Sequence, residues 1–262
     1  HTLFIGQVLS QTPSSRGDAL QNPYAFTQAN DVDAFELRNN LFGSDTERSF
    51  SLAGGNDGSA PVVTSTADGA ADYESGLELL AQISDVAIVA APGHSALGAT
   101  SFQNVQGALI SHCERLRYRF AVLDTPSDQV VSQARDVRSR MDTTYAALYY
   151  PWVTVANPLW RPGQEIIPRE IDLPPSGFVT GIYARTDVNR GVWKAPANEV
   201  VRGALRFEQE ISHGQQEVLN PEGVNCLRFF FGRGYRVWGA RTASSDPEWK
   251  YVNVRRYFIY LE

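Results

Sequence analysis

Cysteine is nearly missing from this chain: Cys113 and Cys226 are the two present in 262 residues. Two thiols so far apart make neither a disulfide framework nor a metal-ligand spacing, so they are read as reduced thiols of a protein made in a cytosol. Basic charge is also short. Lys and Arg number 23 against 29 Asp and Glu, a formal net charge of −6. That balance argues against nucleic acid as the main partner, because phosphate binding needs a concentrated basic face. No apolar run approaches the ~20 residues of a membrane-spanning helix, so no membrane insertion is expected. The opening "HTLFIGQVLS" has neither the charged leader nor the cleavage site of a signal peptide. The chain does not begin with Met and is expected to be a fragment trimmed at both ends.

Motifs for nucleotide and acyl chemistry are wanting too. In "GRGYRVWG", Gly232, Gly234 and Gly239 have the wrong spacing for a dinucleotide fingerprint, and no GxxxxGK[ST] occurs. "PGHSALG" comes near a nucleophile elbow, but Leu97 stands where GxSxG needs glycine. A triad of Ser95, Asp124 and His112 can be written on paper. Against it, His112 falls on the apolar stripe of its helix, where a satisfied core histidine is the plainer reading. Cys113 beside it reads as a small buried hydrophobe. Asp124 ends a strand, where a carboxylate commonly binds backbone N–H groups at a helix start. "GGNDG" offers Asn56 and Asp57, too few oxygens for calcium. No metal and no cofactor is expected.

What is present is an ordinary globular composition, 43% hydrophobic and 20% charged. Residues 1–50 are mixed: "TLFIGQVL" suits a strand and "DVDAFELRNNLFG" a short helix or a strand with a turn. The Gly/Ser/Asp-rich stretch from Gly43 to Ala71 reads as an exposed loop. From there the organisation sharpens. "DYESGLELLAQIS" (72–84) puts Tyr73, Leu77 and Leu80 on one helical face. "SFQNVQGALISHCERLR" (101–117) does the same for Val105, Leu109, His112 and Leu116. Short continuous apolar runs in "DVAIVAAPG" (85–93) and "RFAVLDTP" (119–126) suit strands covered on both faces. Thr125, Pro126 and Asp128 read as N-cap, N1 and N3 of the next helix, with Val130, Ala134, Val137 and Met141 facing inward. A third strand is expected in 145–155 and a helix in 176–191. "VNCLRFFFGRGYRVWGAR" reads as a β-hairpin. The expected fold is therefore α/β: a mainly parallel sheet flanked by helices, with a hairpin added near the C-terminus. Residues 1–70 are expected to be an N-terminal segment belonging to a truncated peripheral region, and 71–262 the core domain.

Arginines and aromatics are the other notable presence. Arg115, Arg117 and Arg119, and again Arg135, Arg138 and Arg140, read as solvated helix faces with acids interleaved. In "DPEWKYVNVRRYFIYLE", Tyr251, Val254, Phe258 and Leu261 make a helical stripe expected to face inward, leaving Arg255 and Arg256 beside it. Asp246, Glu248, Trp249, Lys250, Arg255 and Arg256 are candidate subunit-contact positions, since Arg and Trp typify contact hot spots. The alternative for the two arginines is an internal ion pair with Glu248 or Asp246. Trp152, Trp193 and Trp238 are candidate core anchors.

"YYPWVTVANP", "LPPSGFVTGIYARTDVNRGVWKAPAN" and "LNPEGVNCLRFFFGRGYRVWGARTASSDPEWKYVNVRRYFIYLE" together resemble the tail sheath proteins of contractile phages and related injection devices. "LAGGNDG" and "RYRFAVLDTP" extend the resemblance upstream. It implies a structural subunit, without catalytic residues or cofactor, that polymerises as a helical tube in the virion tail and is assembled in the host cytoplasm. The implied partners are other sheath subunits, the inner tail tube protein, the baseplate and the tail terminator. Contraction would convert a metastable lattice into a lower-energy packing by rigid-body motion, and terminal arms would add strands to a neighbour's sheet. The chain stops at Glu262, where the family continues, so this piece is expected not to polymerise by itself. The competing expectations are an α/β hydrolase using Ser95, Asp124 and His112, a nucleotide-binding enzyme using the strand ends near Asp124, and a carbohydrate-binding surface of exposed aromatics.

Overall fold

The computed structural model describes residues 71–163 and 166–262. The readings of residues 1–70, including the peripheral segment and the "GGNDG" loop, lie outside the described residues.

The described chain runs α1 (Ala71–Ala81), β1 (Ile88–Val89), a 3-10 turn (His94–Ala96), α2 (Ala99–Leu116), β2 (Phe120–Asp124), α3 (Val131–Ser139), β3 (Ala146–Tyr150) and β4 (Val153–Ala156). It continues through β5 (Glu170–Leu173), α4 (Ser176–Arg190), β6 (Glu199–Val200), β7 (Ala204–Phe207), α5 (His213–Leu219), β8 (Val224–Phe230), β9 (Gly234–Trp238) and α6 (Val252–Leu261). The strands make a six-stranded sheet, ordered β1-β2-β3-β8-β9-β6, and a three-stranded sheet, ordered β5-β4-β7. β1, β2, β3 and β8 pair in parallel. The β8–β9 hairpin and the β9–β6 pair are antiparallel, as is the whole small sheet. The sheet is thus α/β but mixed.

Every residue of β2 and β3 is buried. That is why their sequences read as unbroken apolar runs rather than alternating ones. Ala121, Leu123, Ala146, Leu148 and Tyr150 face one layer, against Val105, Leu109, Cys113, Ala134 and Val137 of α2 and α3. Phe120, Val122, Ala147 and Tyr149 face the other, against Val179, Ile182 and Tyr183 of α4 and Val252 of α6. The period-two alternation of a strand sorts the two cores.

Four local expectations change. The run at 85–93 pairs only through Ile88 and Val89. α3 begins at Val131, not after Thr125: the Thr125 N–H donates to Tyr149 O (3.3 Å) and its carbonyl accepts from Trp152 Nε1 (2.7 Å), so the residue stays in the sheet. Val130 becomes the N-cap position and is exposed, while Asp128 takes φ 55° and donates its N–H to Glu208. The strand expected over 145–155 is two strands in different sheets, divided at a cis Tyr150–Pro151 bond. Finally, Tyr251, Phe258 and Leu261 are exposed, and α6 buries Val252, Arg255 and Arg256 instead.

Candidate functional site

The paper triad does not assemble. Ser95 Oγ is buried with no hydrogen-bond partner, and His112 Nε2 takes its hydrogen bond from Arg119 at 2.8 Å. Burial holds His112 below the usual imidazole range, with the Arg119 charge acting the same way. Asp124 reaches neither. Its carboxylate accepts the Ser176 N–H (2.6 Å) and the Ser176 hydroxyl (2.5 Å), so it caps α4 from 52 residues away. Pro175, in the N-cap position, offers no side-chain cap. The carboxylate sits where the helix dipole favours negative charge, yet burial outweighs the Ser176 bonds and pushes its pKa up to about 7. Both cysteines are free, buried and pushed up to about 12 by desolvation, as suits inert core thiols.

The "WKYVNVRRYF" segment forms a denser polar arrangement. Arg256 grips Asp187 of α4 with two hydrogen bonds, of 2.9 and 2.5 Å, and its guanidinium lies 4.8 Å from the centre of the Tyr183 ring. Tyr183 in turn shares a 2.7 Å hydrogen bond with Tyr149 in β3, and burial raises both phenols. Arg255 bonds the Tyr145 hydroxyl, lies 4.1 Å from the Tyr145 ring centre and 4.9 Å from that of Trp249, and approaches Glu262 at 3.7 Å. Both arginines are 5% exposed. They are spent inside the chain, joining α6 to α4 and to the start of β3, and their partners are neither Glu248 nor Asp246. The missed partner had a readable sign: Tyr183 and Asp187 stand four apart on α4, hence on one helix face.

The other expected positions separate. Trp152 is a core residue, 7% exposed. Trp238 is half-buried and packs at a tilt against Phe230, ring centres 4.5 Å apart. Trp193 is not a core anchor: it is 65% exposed, its indole lying over Gly191 where a Cβ would sit. Gly191 has φ 95°, which ends α4 and leaves that space open. Asp246 and Glu248 are exposed on a turn, and Trp249 and Lys250 are half-buried.

Among the described residues, nothing gathers a nucleophile, a base and an oxyanion pocket. A family model described as the phage tail sheath protein central domain matches residues 67–243. The chain belongs to the phage tail sheath protein family. A prophage major tail sheath protein of Pseudomonas aeruginosa UCBPP-PA14 is 28% identical over 174 residues, covering 63% of this chain and 40% of the relative. The tail sheath protein of Enterobacteria phage T4 is 30% identical over 94 residues, covering 34% of this chain and 14% of that one. Among solved structures, the helical sheath of the anti-feeding prophage in its contracted state matches with TM-score 0.58 and 31% identity, over 75% of this chain and 50% of the other. The contracted sheath complex of the extracellular injection system PVC matches with TM-score 0.57 and 32% identity, over 71% and 48%. This sheath chain spans well under half of the curated relatives and about half of the solved ones. The family is structural, and the comparisons lend nothing to the hydrolase or nucleotide-enzyme alternatives. The arginine clasp at 255–256 lies beyond the stretch the sheath family model matches.

Proposed function

We propose that this chain is the central part of a contractile sheath subunit. Copies polymerise helically around an inner tail tube, between baseplate and tail terminator, and contraction drives that tube through a cell envelope. The observation that carries the reading is the structural match to a contracted helical sheath over three quarters of the chain, at an identity above 30%. Residues 71–262 act as the rigid body of the subunit and 1–70 as its peripheral part. The work comes from contacts between copies, which exchange one packing for another. The subunit performs no catalysis and needs no cofactor, nucleic acid or membrane, and it resides in the tail after assembly in the host cytoplasm.

Electron microscopy tests this directly. The sheath subunit carrying this chain, co-expressed with its tube protein, should yield sheathed tubes that shorten and widen on mild denaturation. Bare tubes beside monomeric subunit would overturn the assembly role, and turnover of an ester or nucleotide by the purified chain would overturn the structural one.

A further inference from the structure

The β8–β9 hairpin carries charge that no acid among the described residues pairs with. Arg228 and Arg236 stand directly opposite each other across it, a like-charged cross-strand pair that costs stability unless something offsets it. Arg228 donates to Ile211 O (2.8 Å), Arg236 to Asn198 O (2.6 Å) and Arg233 to Asn198 Oδ1 (3.0 Å). All three partners are uncharged oxygens, and none of the three arginines makes an ion pair among the described residues. Arg228 lies 5.0 Å from the Phe230 ring centre and Arg233 5.8 Å from that of Trp238, while those two rings pack against each other at a tilt of 51°. At the tip Phe231 is 96% exposed. The result is a pre-ordered face of guanidinium and aromatic groups, with N–H donors to spare, on a chain that is acidic overall.

The topology puts an acidic turn at the far end of the same sheet. Asp142 precedes β3, and its carboxylate accepts the Ser245 N–H (2.8 Å) and hydroxyl (2.5 Å). The turn that follows is held by Asp246 N–H to Ser244 Oγ (3.1 Å) and Glu248 N–H to Asp246 Oδ1 (2.9 Å), and neither Asp246 nor Glu248 forms an ion pair among the described residues. β8 runs parallel to β3 with Tyr150 opposite Cys226, so Phe230 lies four residues beyond the end of β3. At ~3.3 Å per residue that is about 13 Å past it, away from Asp142.

We propose that the arginine–aromatic face of the hairpin docks on the Asp246–Glu248 turn of a second copy, head to tail. Opposite charges on opposite ends of one rigid sheet make a heterologous contact, which builds a filament where its rotation does not close, as the helical sheath reading requires. The inference rests on the sheath reading and names a contact within it.

Charge exchange between two variants tests it. The chain is sedimented over a range of concentration and salt, alone and as Arg233→Glu and Glu248→Arg. Both positions are exposed, and a melting curve for each variant checks that it folds. The native chain should show salt-sensitive head-to-tail pairing, short of the tubes that this piece is not expected to form by itself. Each variant alone should associate at least about tenfold more weakly, since it sets like charges together. A one-to-one mixture of the two should regain association, because every hairpin then meets a turn of opposite sign. Absence of native association, or a mixture no better than its components, would overturn the contact. Sheathed tubes that form normally from Arg233→Glu subunit would do the same while leaving the sheath reading intact; failure of native subunit to form tubes strikes that reading instead. Salt-sensitive binding of a labelled single-stranded oligonucleotide, lost in Arg233→Glu, would reassign the face to nucleic acid and sink the proposal.

Discussion

The two faces of the central sheet are built differently. One is mainly aliphatic: Leu123, Leu148, Val224 and their neighbours meet Val105, Leu109 and Val137, with Phe102 and Tyr150 among them, and contact there is decided chiefly by volume. The other has aromatic and ionic ties running through its apolar packing, from Tyr149 to Tyr183 and from Arg256 to Asp187, with Asp124 capping α4 at its edge. The first face stabilises by removing apolar area from water. The second also fixes geometry, since each buried polar group is tolerated only with its partner in place.

Substitutions can break or sharpen that contrast. The largest expected effect is on the aliphatic face: Leu123→Ala, at a site with 0% exposure, should cost about 3–5 kcal/mol by urea denaturation, with no dependence on pH. Asp124→Asn should do the opposite on the other face. A carboxyl raised from 3.8 to about 7 binds its proton more tightly folded than unfolded, so it weakens the native chain as pH rises through that window. Asparagine can accept the Ser176 N–H through Oδ1 and donate from Nδ2 to Ser176 Oγ, without the charge. The variant should therefore gain on the native chain between pH 4 and 8, by as much as ~4 kcal/mol, and stability curves at those two pH values check it. An unchanged difference across the window would mean that the carboxylate is ionised in the fold. Third, Arg256→Ala should cost about 2–4 kcal/mol, because it strands Asp187 and removes the cation from Tyr183. Arg256→Leu should recover little, which separates lost pairing from lost bulk. Smallest is Trp193→Ala: an exposed indole resting on a glycine should shift stability by under ~1 kcal/mol.

The aliphatic face was legible in the sequence because periodicity reports on it. Leu77, Val105, Leu109, Ala134 and Val137 fall at helical spacing, and the runs around Val122 and Leu148 announce strands covered on both sides. The polar face was not, because hydrophobic pattern ranks Arg255 and Arg256 as outward positions and so turned α6 to the wrong side. What buries them is a set of partners 69 and 110 residues away, Asp187 and Tyr145. Distance in sequence also explains Thr125, kept in the sheet by Tyr149 and Trp152, and the cap on α4, supplied by Asp124. Trp193 departs for a simpler reason: aromatic size does not entail burial, and Gly191 lets an indole lie flat on open backbone.

β8 belongs at once to the middle of the large sheet and to the arm that projects from it. A pull on the hairpin along its length loads the hydrogen bonds of β8 to β3 and of β9 to β6 in shear, so that they resist together. A sideways pull would unzip them one by one. The fold thus gives this projection a preferred direction of mechanical strength, aligned with its strands.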